Sequence, residues 1–445
     1  MPVTNEGEGT RWFQCGQLYR DMFNELGDDP SYLRRCPWDT PGDHKHRTVF
    51  SIGEVDVAPG GYGFGIATDV RGRMYVWGDN QDYFDHPNID EEDKGGLREI
   101  ARNIVPGVAH GGWAHIVTTR AWPPDKKEKK DEKDPTDEEI VREDDRQNRR
   151  GVRCFGWNKY GHAQGWDAPL EVVAVAAGER HSLALSAGGT VFAWGDNLTG
   201  QLGLGGEYKT DGKTSTDQWD STMKGARRDP LPMDVPTVSI GHEVKIVGLA
   251  AGARHSALVS SAGDVFTVGW GLYGQLGHED CEDIFAPRRV EHLAGQFLVS
   301  VAAGSAHTAA VTKDGALYTW GSNRKGELGT ATGDVTRKHD DIGCEPGDTA
   351  AIPQLVDLDR SGGDEAGSLA VAVSCGSAHT IALARLETGE AGLFGFGWNN
   401  VGQLGVGDYE DRGIPARIRL PENEKGKTTK LRCGWWHTVV GVEEY

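Results

Sequence analysis

Methionine is scarce in this 445-residue chain, cysteine follows no metal-binding or disulfide spacing, and long apolar runs are missing. There are five Met, and the seven Cys include no C-x-x-C pair, so neither a zinc site nor a disulfide framework is indicated. We expect reduced thiols. No run is long enough to span a membrane, and the start, MPVTNEGEGT, has no apolar signal core. The sequence therefore predicts a soluble cytoplasmic or nuclear protein without a membrane partner.

Positive charge is also in deficit, because the formal net charge is -20 at pH 7. An acidic surface repels nucleic-acid phosphate and anionic lipid, so we expect no direct nucleic-acid binding, and a basic protein partner is slightly favoured. Catalytic signatures are missing as well: the chain has no P-loop, no G-x-S-x-G, no paired carboxylates and no metal-ligand set. We therefore predict no catalytic residues, no bound metal and no cofactor.

Glycine, in contrast, is abundant at 63 residues, and it recurs inside a repeated stretch. The stretch reads RHSLALSAGGTVFAWGDNLTGQLG at 180–203, RHSALVSSAGDVFTVGWGLYGQLG at 254–277 and AHTAAVTKDGALYTWGSNRKGELG at 306–329. Each copy has two apolar runs joined by a glycine turn, which is typical of a β-hairpin. Repetition of this kind predicts a repeat architecture.

The first half of the repeat is a small-residue turn, then a histidine, then an apolar strand. One copy, at 58–68, has Phe64 in place of the histidine. The histidines at this position are His115, His181, His255, His307, His379 and His437. The second half ends in an aromatic or apolar residue followed by a glycine, which we call the frame glycine. The frame glycines are Gly16, Gly78, Gly156, Gly195, Gly269, Gly321 and Gly397.

Each repeat predicts four short antiparallel strands, and seven such units favour a β-propeller whose blades pack around an axis. The first unit supplies only the end of a blade, WFQCGQLYRDMFNELG at 12–27, and the last supplies only a beginning, LRCGWWHTVVG. These halves are expected to pair, which joins the termini and removes an exposed sheet edge. The sequence thus predicts an all-β, seven-bladed propeller of four-stranded antiparallel blades, closed by the N- and C-terminal half-blades.

One propeller domain is expected to span residues 1–445, with three long segments that interrupt its repeats. Residues 121–150 form a mixed-charge, proline-containing insert that is typical of a disordered solvated loop, and a docking or regulatory segment is the alternative. Residues 205–241 and 330–351 are predicted to be long loops between strands. Long loops on a rigid scaffold often carry binding, so these segments are candidates for partner specificity.

The repeat pattern A-x-G-x-x-H-[ST]-x-x-L-x-x-x-G-x-[VL]-[FY]-x-[WF]-G-x-N-x-x-G-Q-L-G resembles that of the regulator-of-chromosome-condensation (RCC1) repeat family. Copies at 174–203, 247–277, 300–329 and 371–405 match this pattern closely, while those at 58–80 and 108–165 are degenerate. The resemblance covers nearly the whole chain. It implies a seven-bladed propeller, in agreement with the strand pattern.

The repeated histidines are interpreted as structural rather than catalytic. Catalysis needs one His close to a partner acid and a nucleophile, whereas equivalent positions of a ring lie far apart. The glycine that opens each turn allows close backbone approach, and an imidazole can donate and accept hydrogen bonds there. Phe64 at the same position replaces this chemistry with shape alone.

Function is expected where the repeat is broken. Bulky aromatics replace small or charged residues in two of the turns, at Trp113 and at the pair Trp435 and Trp436. If exposed, these are candidate binding residues because Trp supplies a large contact area, and packing against irregular N-terminal segments is the alternative. Arg180 and Arg254, one residue before the histidine, are candidates for pairing with partner carboxylates or else with acidic residues of the same chain.

The sequence predicts a non-catalytic protein-binding scaffold, monomeric within a complex. The family resemblance implies an alternative, guanine-nucleotide exchange on a small GTPase, which requires only preferential binding of the nucleotide-free state. No insert aligns with an exchange wedge, so no residue is assigned to that activity. Light sensing, known for plant ultraviolet-receptor members of the family, is disfavoured because the turns lack a repeated Trp cluster. An accessory role in tRNA or translation-factor modification, known for some short fungal members, is neither supported nor excluded.

Overall fold

The structure is a computed structural model. It describes residues 11–16, 34–35, 55–59, 64–69, 74–78, 98–101, 104–111, 115–120, 151–156, 166–167, 172–205, 227–236, 238–239, 242–330, 348–361, 367–420 and 427–443. The insert 121–150 and Trp113 lie outside these residues, as does most of the segments 205–241 and 330–351, for which long loops are predicted. Within the first segment, Arg227–Pro232 and Val238–Ser239 are strands. The boundaries of a single domain over 1–445 stay a prediction.

The described residues are almost entirely β-strands and short turns. The first two strands are β1 (Arg11–Gly16) and β2 (Arg34–Arg35). Sheet 1 contains β3 (Val55–Pro59), β4 (Phe64–Asp69), β5 (Met74–Gly78) and β6 (Arg98–Ala101). Sheet 2 contains β7 (Ile104–Gly111), β8 (His115–Arg120), β9 (Gly151–Gly156) and β10 (Trp166–Asp167). Sheet 3 contains β11 (Val172–Ala177), β12 (His181–Ser186), β13 (Val191–Gly195) and β14 (Arg227–Pro232).

The second half of the chain continues the same order. A small ribbon pairs β15 (Val238–Ser239) with β16 (His242–Glu243). Sheet 4 contains β17 (Ile246–Ala251), β18 (His255–Ser260), β19 (Val265–Gly269) and β20 (Ile284–Arg289). Sheet 5 contains β21 (Leu298–Ala303), β22 (His307–Thr312), β23 (Leu317–Ser322) and β24 (Thr349–Val356). Sheet 6 contains β25 (Leu369–Cys375), β26 (His379–Arg385), β27 (Ala391–Gly397) and β28 (Arg412–Ile418), followed by β29 (Lys427–Cys433) and β30 (His437–Glu443). Two short 3-10 helices lie at Glu291–Leu293 and Leu358–Ser361.

The two ends of the chain share one sheet. This terminal sheet has the strand order β2-β1-β30-β29, and it is four-stranded and antiparallel like sheets 1 to 6. β1 pairs with β30 from Arg11 opposite Val442 to Gly16 opposite His437. The all-β prediction is confirmed, and the pairing expected between the two half-blades is present. Ring closure and the number of blades stay predictions.

Neighbouring sheets pack against each other, with the first strand of each sheet against the preceding sheet. β17 contacts β11 and β12, β21 contacts β17 and β18, β25 contacts β21 and β22, and β29 contacts β25 and β26. The terminal sheet contacts sheet 1, because β29 and β30 both touch β3. The first strands of sheets 3 to 6 and of the terminal sheet line a central cavity of about 330 Å³. The turns that end these first strands therefore surround one end of that cavity.

The hydrophobic core lies between the sheets. The second strands HSLALS, HSALVS and HTAAVT are buried along their whole length. Leu183 and Phe266 belong to the cluster between sheets 3 and 4, and Phe394 to the cluster between sheets 5 and 6. Trp194 and Trp320 are 0% exposed.

The frame glycine has a backbone cause. Gly195, Gly269, Gly321 and Gly397 have φ between +105° and +114°, a region that residues with side chains rarely adopt. A Cβ at Gly269 would lie 2.5 Å from the carbonyl oxygen of Arg254 and 2.7 Å from Cα of His255. Because both atoms are backbone, only glycine fits where the third strand passes the Gly-x-x-His turn.

Candidate partner-binding face

The histidine of each Gly-x-x-His turn links its sheet to the next one. Nε2 of the imidazole lies within hydrogen-bond distance of a Ser or Thr hydroxyl at the start of the neighbouring second strand, and we call this contact a clasp. The clasps are His181 with Ser256 at 3.0 Å, His255 with Thr308 at 2.9 Å, His307 with Thr380 at 2.9 Å and His379 with Thr438 at 3.3 Å.

The direction of the clasp is fixed by a second hydrogen bond of the hydroxyl. Oγ1 of Thr308 donates to the carbonyl oxygen of Gln275 at 2.8 Å. The equivalent bonds run from Ser256 to Gln201, from Thr380 to Glu327 and from Thr438 to Gln403, each at 2.8 Å. Since a hydroxyl has a single proton, the imidazole must donate through Nε2–H. The clasped histidines therefore carry a proton on Nε2.

Burial keeps these imidazoles uncharged. The five histidines from His181 to His437 in this series are 0% exposed. Burial lowers the pKa of His255 to about 4 and that of His307, His379 and His437 to about 3, and neighbouring histidines lower the pKa of His307 and His379 further. Such a group does not take up a proton near neutral pH. This geometry favours the structural interpretation, which stays a prediction.

The glycine that opens the turn sets the distance between sheets. A Cβ at Gly252 would lie 2.3 Å from Cε1 of His255 and 2.4 Å from the carbonyl oxygen of Gly304. That carbonyl belongs to the next sheet and accepts a hydrogen bond from the amide of Ala253 at 3.2 Å. A side chain at position 252 would therefore push both the imidazole and the neighbouring sheet away.

Two variable positions form the outer side of the turns, and we call them the rim. One is the residue just before the histidine, and the other is the residue just after the frame glycine. A backbone hydrogen bond joins the two, as from the amide of Trp270 to the carbonyl of Arg254 at 2.8 Å. The rim residues are Arg180, Arg254, Ala306, Ala378 and Trp436 at the first position, and Asp196, Trp270, Ser322 and Trp398 at the second.

Arg180 pairs within its own turn. Its Nε lies 2.9 Å from Oε1 of Glu179, and the two side chains are only 18% and 16% exposed. Asp196 lies behind them, where burial raises the pKa of its carboxyl, opposed by a hydrogen bond from the amide of Leu198 and by the charge of Arg180. Of the two roles expected for Arg180, the structure contains the intramolecular ion pair.

Arg254 is arranged differently. Its guanidinium lies over the ring of Trp270, 5.7 Å from the ring centroid. Asp196 and Asp283 act on it electrostatically, yet no carboxylate of the described residues forms an ion pair with it. A planar guanidinium that rests on an aromatic face keeps its donors available for a carboxylate. Arg254 thus meets the geometric requirement for a carboxylate-binding residue.

The Trp pair at the last turn is half-buried. Trp436 meets Trp398 of sheet 6 edge to face, with ring centroids 6.1 Å apart. Trp435 lies at the end of the central cavity, and its carbonyl accepts a hydrogen bond from the amide of Ser377 at 3.0 Å. Of the two, Trp436 occupies a rim position. Trp113 lies outside the described residues, and of His115 only its backbone, at the start of β8, is described.

A second aromatic pair on the rim was missed by the sequence prediction. Trp270 and Tyr273 meet edge to face at 5.2 Å, and Arg324 of sheet 5 lies over Tyr273 at 5.7 Å. The signal was available, because Trp270 and Trp398 both follow a frame glycine, as Trp157 does, where the remaining repeats have Gln, Asp or Ser. Between the two aromatic pairs the described rim positions hold only the small side chains of Ala306, Ser322 and Ala378.

The described residues include no candidate metal site and two thiols that stay protonated. In the part of the chain that the structure describes, no group of three or more His, Cys, Asp or Glu is placed to hold a metal ion. No described helix is long and apolar enough to span a membrane. Burial raises the pKa of the Cys375 thiol well above its usual range and that of Cys433 to about 12, so both remain protonated.

One thiol prediction is wrong. Cys281 is disulfide-bonded, whereas reduced cysteines were expected throughout; Cys15, Cys154, Cys375 and Cys433 are free. No cysteine spacing motif includes Cys281, so the sequence did not indicate a bridge there. The cytoplasmic or nuclear location stays a prediction.

The sheets, the clasps and the rim define a class of protein. It is a β-repeat scaffold whose sheets are joined by buried hydrogen bonds and whose rim residues differ from repeat to repeat. Comparison with known proteins gives the family. Residues 143–444 match the model of the RCC1-like domain, and the chain belongs to this family.

In the aligned regions, curated relatives are about one third identical to this chain. It is 33% identical to the ultraviolet-B receptor UVR8 of Arabidopsis thaliana over 305 residues, which are 66% of this chain and 58% of that protein. It is also 33% identical to the human RCC1 domain-containing protein 1, over 45% of this chain and 57% of that protein. The chain thus spans less than two thirds of the length of these relatives.

Solved structures show the same fold at low sequence identity. Human WBSCR16 superposes with a TM-score of 0.66 at 19% identity, covering 98% of this chain and all of that one. Prp20p from Saccharomyces cerevisiae, whose binding properties to Gsp1p and histones are known, superposes with a TM-score of 0.69 at 18% identity, covering 99% and 93% of the two chains. At such identities the likeness establishes the fold alone.

Proposed function

We propose that this chain is a non-catalytic protein-binding module whose partner seats on the rim. The observation that carries the proposal is the presence of two aromatic pairs, Trp270 with Tyr273 and Trp398 with Trp436. Sheet 5 has Ser322 at the position of Trp270 and Trp398, and Ala306 at the position of Trp436. Half-buried Trp and Tyr provide large contact area at low entropic cost, which is why they dominate binding energy at interfaces. The small residues between the pairs leave a low area in which a partner side chain has room.

Charge adds orientation to this surface. The stacked guanidinium of Arg254 and the Arg324 side chain over Tyr273 both offer positive charge beside an aromatic ring. A partner segment with an apolar side chain next to a carboxylate meets both features. Trp435, Arg180 and, from its place in the repeat, Trp113 belong to the same proposed surface.

The absence of catalysis in this proposal rests on the chemistry of the buried groups. His255, His307 and His379 have pKa values of about 3 to 4, and the clasped histidines face hydroxyls that are already hydrogen-bonded to carbonyls. Glu327, the one acidic residue in the Gln position of the repeat among the described residues, has its pKa raised by burial and receives a hydrogen bond from Ser322 at 2.6 Å. None of these groups is poised to exchange a proton with a substrate.

The test is affinity capture of the tagged intact protein from extracts of its own cells, quantified for wild type and variants. Trp436→Ala and Arg254→Ala should each reduce the captured partner at least tenfold, the loss expected for interface hot spots. Leu355→Ser is the control, because Leu355 is 61% exposed on the outer strand of sheet 5, away from the rim. Equal capture by wild type and both rim variants would contradict the proposal.

Guanine-nucleotide exchange on a small GTPase is the alternative function, and the same capture distinguishes it. EDTA removes the magnesium that holds nucleotide on GTPases. An exchange factor prefers the empty GTPase, so a GTPase enriched only after EDTA would support exchange. A partner that is indifferent to EDTA and is lost from the rim variants would support the scaffold.

A further inference from the structure

The clasp series stops at one junction. Four successive junctions, from sheet 3 to the terminal sheet, each have a buried His facing a Ser or Thr hydroxyl. At the next junction, where β29 and β30 contact β3 of sheet 1, His437 is the corresponding histidine. It is 0% exposed, and neither of its ring nitrogens has a hydrogen-bond partner in the described structure.

Strand register explains the missing partner. In sheet 5 His307 pairs with Gly321 and Thr308 with Trp320. In sheet 1 the same register pairs Phe64 with Gly78 and Gly65 with Trp77. Gly65 therefore stands at the hydroxyl position of the repeat. Since glycine has no hydroxyl, the clasp that His437 would make is lost.

Loss of one partner of a clasp costs more stability than replacement of both partners by apolar residues. A buried donor without a partner forfeits its hydration, whereas replacement of both partners by apolar groups is nearly neutral. The next junction, between sheets 1 and 2, is of the second kind. There Phe64 stands at the His position, and Ile116, which pairs with Phe155 in sheet 2, stands at the hydroxyl position. Among the histidines of this series whose side chains the structure describes, His437 is the one with neither ring nitrogen hydrogen-bonded.

We propose that the junction between the terminal sheet and sheet 1 is the weakest contact between neighbouring sheets in the described fold, and that the structure opens there first. The terminal sheet is also the one whose strands come from both chain ends, joined by the β1 to β30 pairing. Opening at this junction exposes His437 to water. Sheets 3 to 6 and the terminal sheet stay connected through their four clasps.

Hydrogen exchange of the intact protein, followed by mass spectrometry, tests the proposal. In wild type, amides of β30 should exchange faster than those of β22 and β26, which are the equivalent strands of sheets 5 and 6. Gly65→Ser supplies a hydroxyl at the clasp position and should slow exchange in β30 about fivefold, the factor that about 1 kcal/mol for one hydrogen bond corresponds to. Gly248→Ser is the matched control, because its Cβ would lie 3.7 Å from Val259, an ordinary contact far from His437. Equal exchange in β30, β22 and β26 of wild type overturns the proposal.

A second pair of variants keeps the test decisive if a side chain at position 65 disturbs β4. His437→Phe removes an imidazole that has no partner, and the chain already uses Phe at the equivalent position 64. It should leave the urea midpoint of unfolding unchanged or raise it. His307→Phe removes an intact clasp and should lower that midpoint. Equal losses in the two variants would show that His437 is as well bonded as His307, which overturns the proposal.

Discussion

The buried histidine of the turn and the rim residue just before it are neighbours in sequence, yet the histidine is repeated from turn to turn and the rim residue changes. Inside the turn, His181, His255, His307 and His379 repeat one contact at 2.9 to 3.3 Å. On the outside, the same turns present Arg, Arg, Ala and Ala. The inner position is shared by two sheets, so any change there alters a junction. The outer position touches solvent, so it is free to carry a different chemistry in each repeat.

This difference separates structure from candidate function within a single turn. Repetition marks the groups that hold sheet against sheet. Departure from repetition marks the aromatic and cationic groups of the rim. The weak junction is found in the same way, because there the residue that departs from the repeat is a buried one. Gly65 stands at the hydroxyl position and leaves His437 without a hydroxyl partner.

Low pH should lower the stability of the protein mainly through the buried histidines of the turns. The pKa of His255 is about 4 in the folded protein and those of His307, His379 and His437 are about 3, against an ordinary value of 6.5. Between these values the unfolded chain binds more protons, so stability is full above pH 6.5 and is lost as pH falls toward 4. Each histidine contributes about 1.4 kcal/mol per pH unit in this window. Thermal unfolding followed from pH 8 to pH 4 should show a steep loss, with a smaller slope in His307→Phe; an unchanged slope would contradict the buried neutral state.

Changing the frame glycine should give the largest loss among single substitutions. Gly269→Ala places a Cβ 2.5 Å from one backbone atom and 2.7 Å from another, at φ +114°. Strain of this kind should cost on the order of 4 kcal/mol in urea unfolding. Gly389→Ala is the control, because its φ is +83° but nothing lies within 4 Å of the added Cβ. The control should lose only about 1–2 kcal/mol, the cost of the left-handed backbone alone. Equal losses would mean that the close approach to the turn is not what selects glycine.

Breaking one clasp should have an intermediate effect. Thr308→Val keeps the shape of the side chain but removes the hydroxyl, which leaves Nε2–H of His255 and the carbonyl of Gln275 without their partner. The expected loss in urea unfolding is about 1–3 kcal/mol. The double variant His255→Phe with Thr308→Ile copies the residues at positions 64 and 116 and should recover part of that loss. A double variant that is less stable in urea than Thr308→Val alone would show that apolar packing cannot replace the clasp.

The strands and the buried residues of the repeat could largely be predicted from sequence, because each of these features is local to one repeat. The strands, the buried Trp194 and Trp320, and the pairing of β1 with β30 all follow from the repeated pattern and its two incomplete copies. Phe64 was identified as a departure, but Gly65 beside it was not weighed, although both letters are visible in the sequence. Comparing the residue after each His would have revealed the missing hydroxyl.

The rim could be predicted only in part, because its contacts join residues from different sheets. Trp398 meets Trp436, and Arg324 lies over Tyr273, only once neighbouring sheets are packed. No periodicity within one repeat encodes these pairs. The same limit applies to the bridge at Cys281, which no local cysteine spacing indicates.

The smallest effect on stability, and the sharpest separation of the two regions, is expected at Arg254. Arg254→Ala removes a cation–π contact with Trp270 and should lower the free energy of unfolding by only about 0.5–1 kcal/mol. Lys313→Ala is the matched variant, because Lys313 lies over Phe297 at 5.5 Å in a turn away from the rim. The two variants should lose similar stability in urea, while only Arg254→Ala loses the captured partner. If both bind the partner like wild type, the rim is no more functional than the rest of the surface, and the contrast between inner and outer positions describes folding alone.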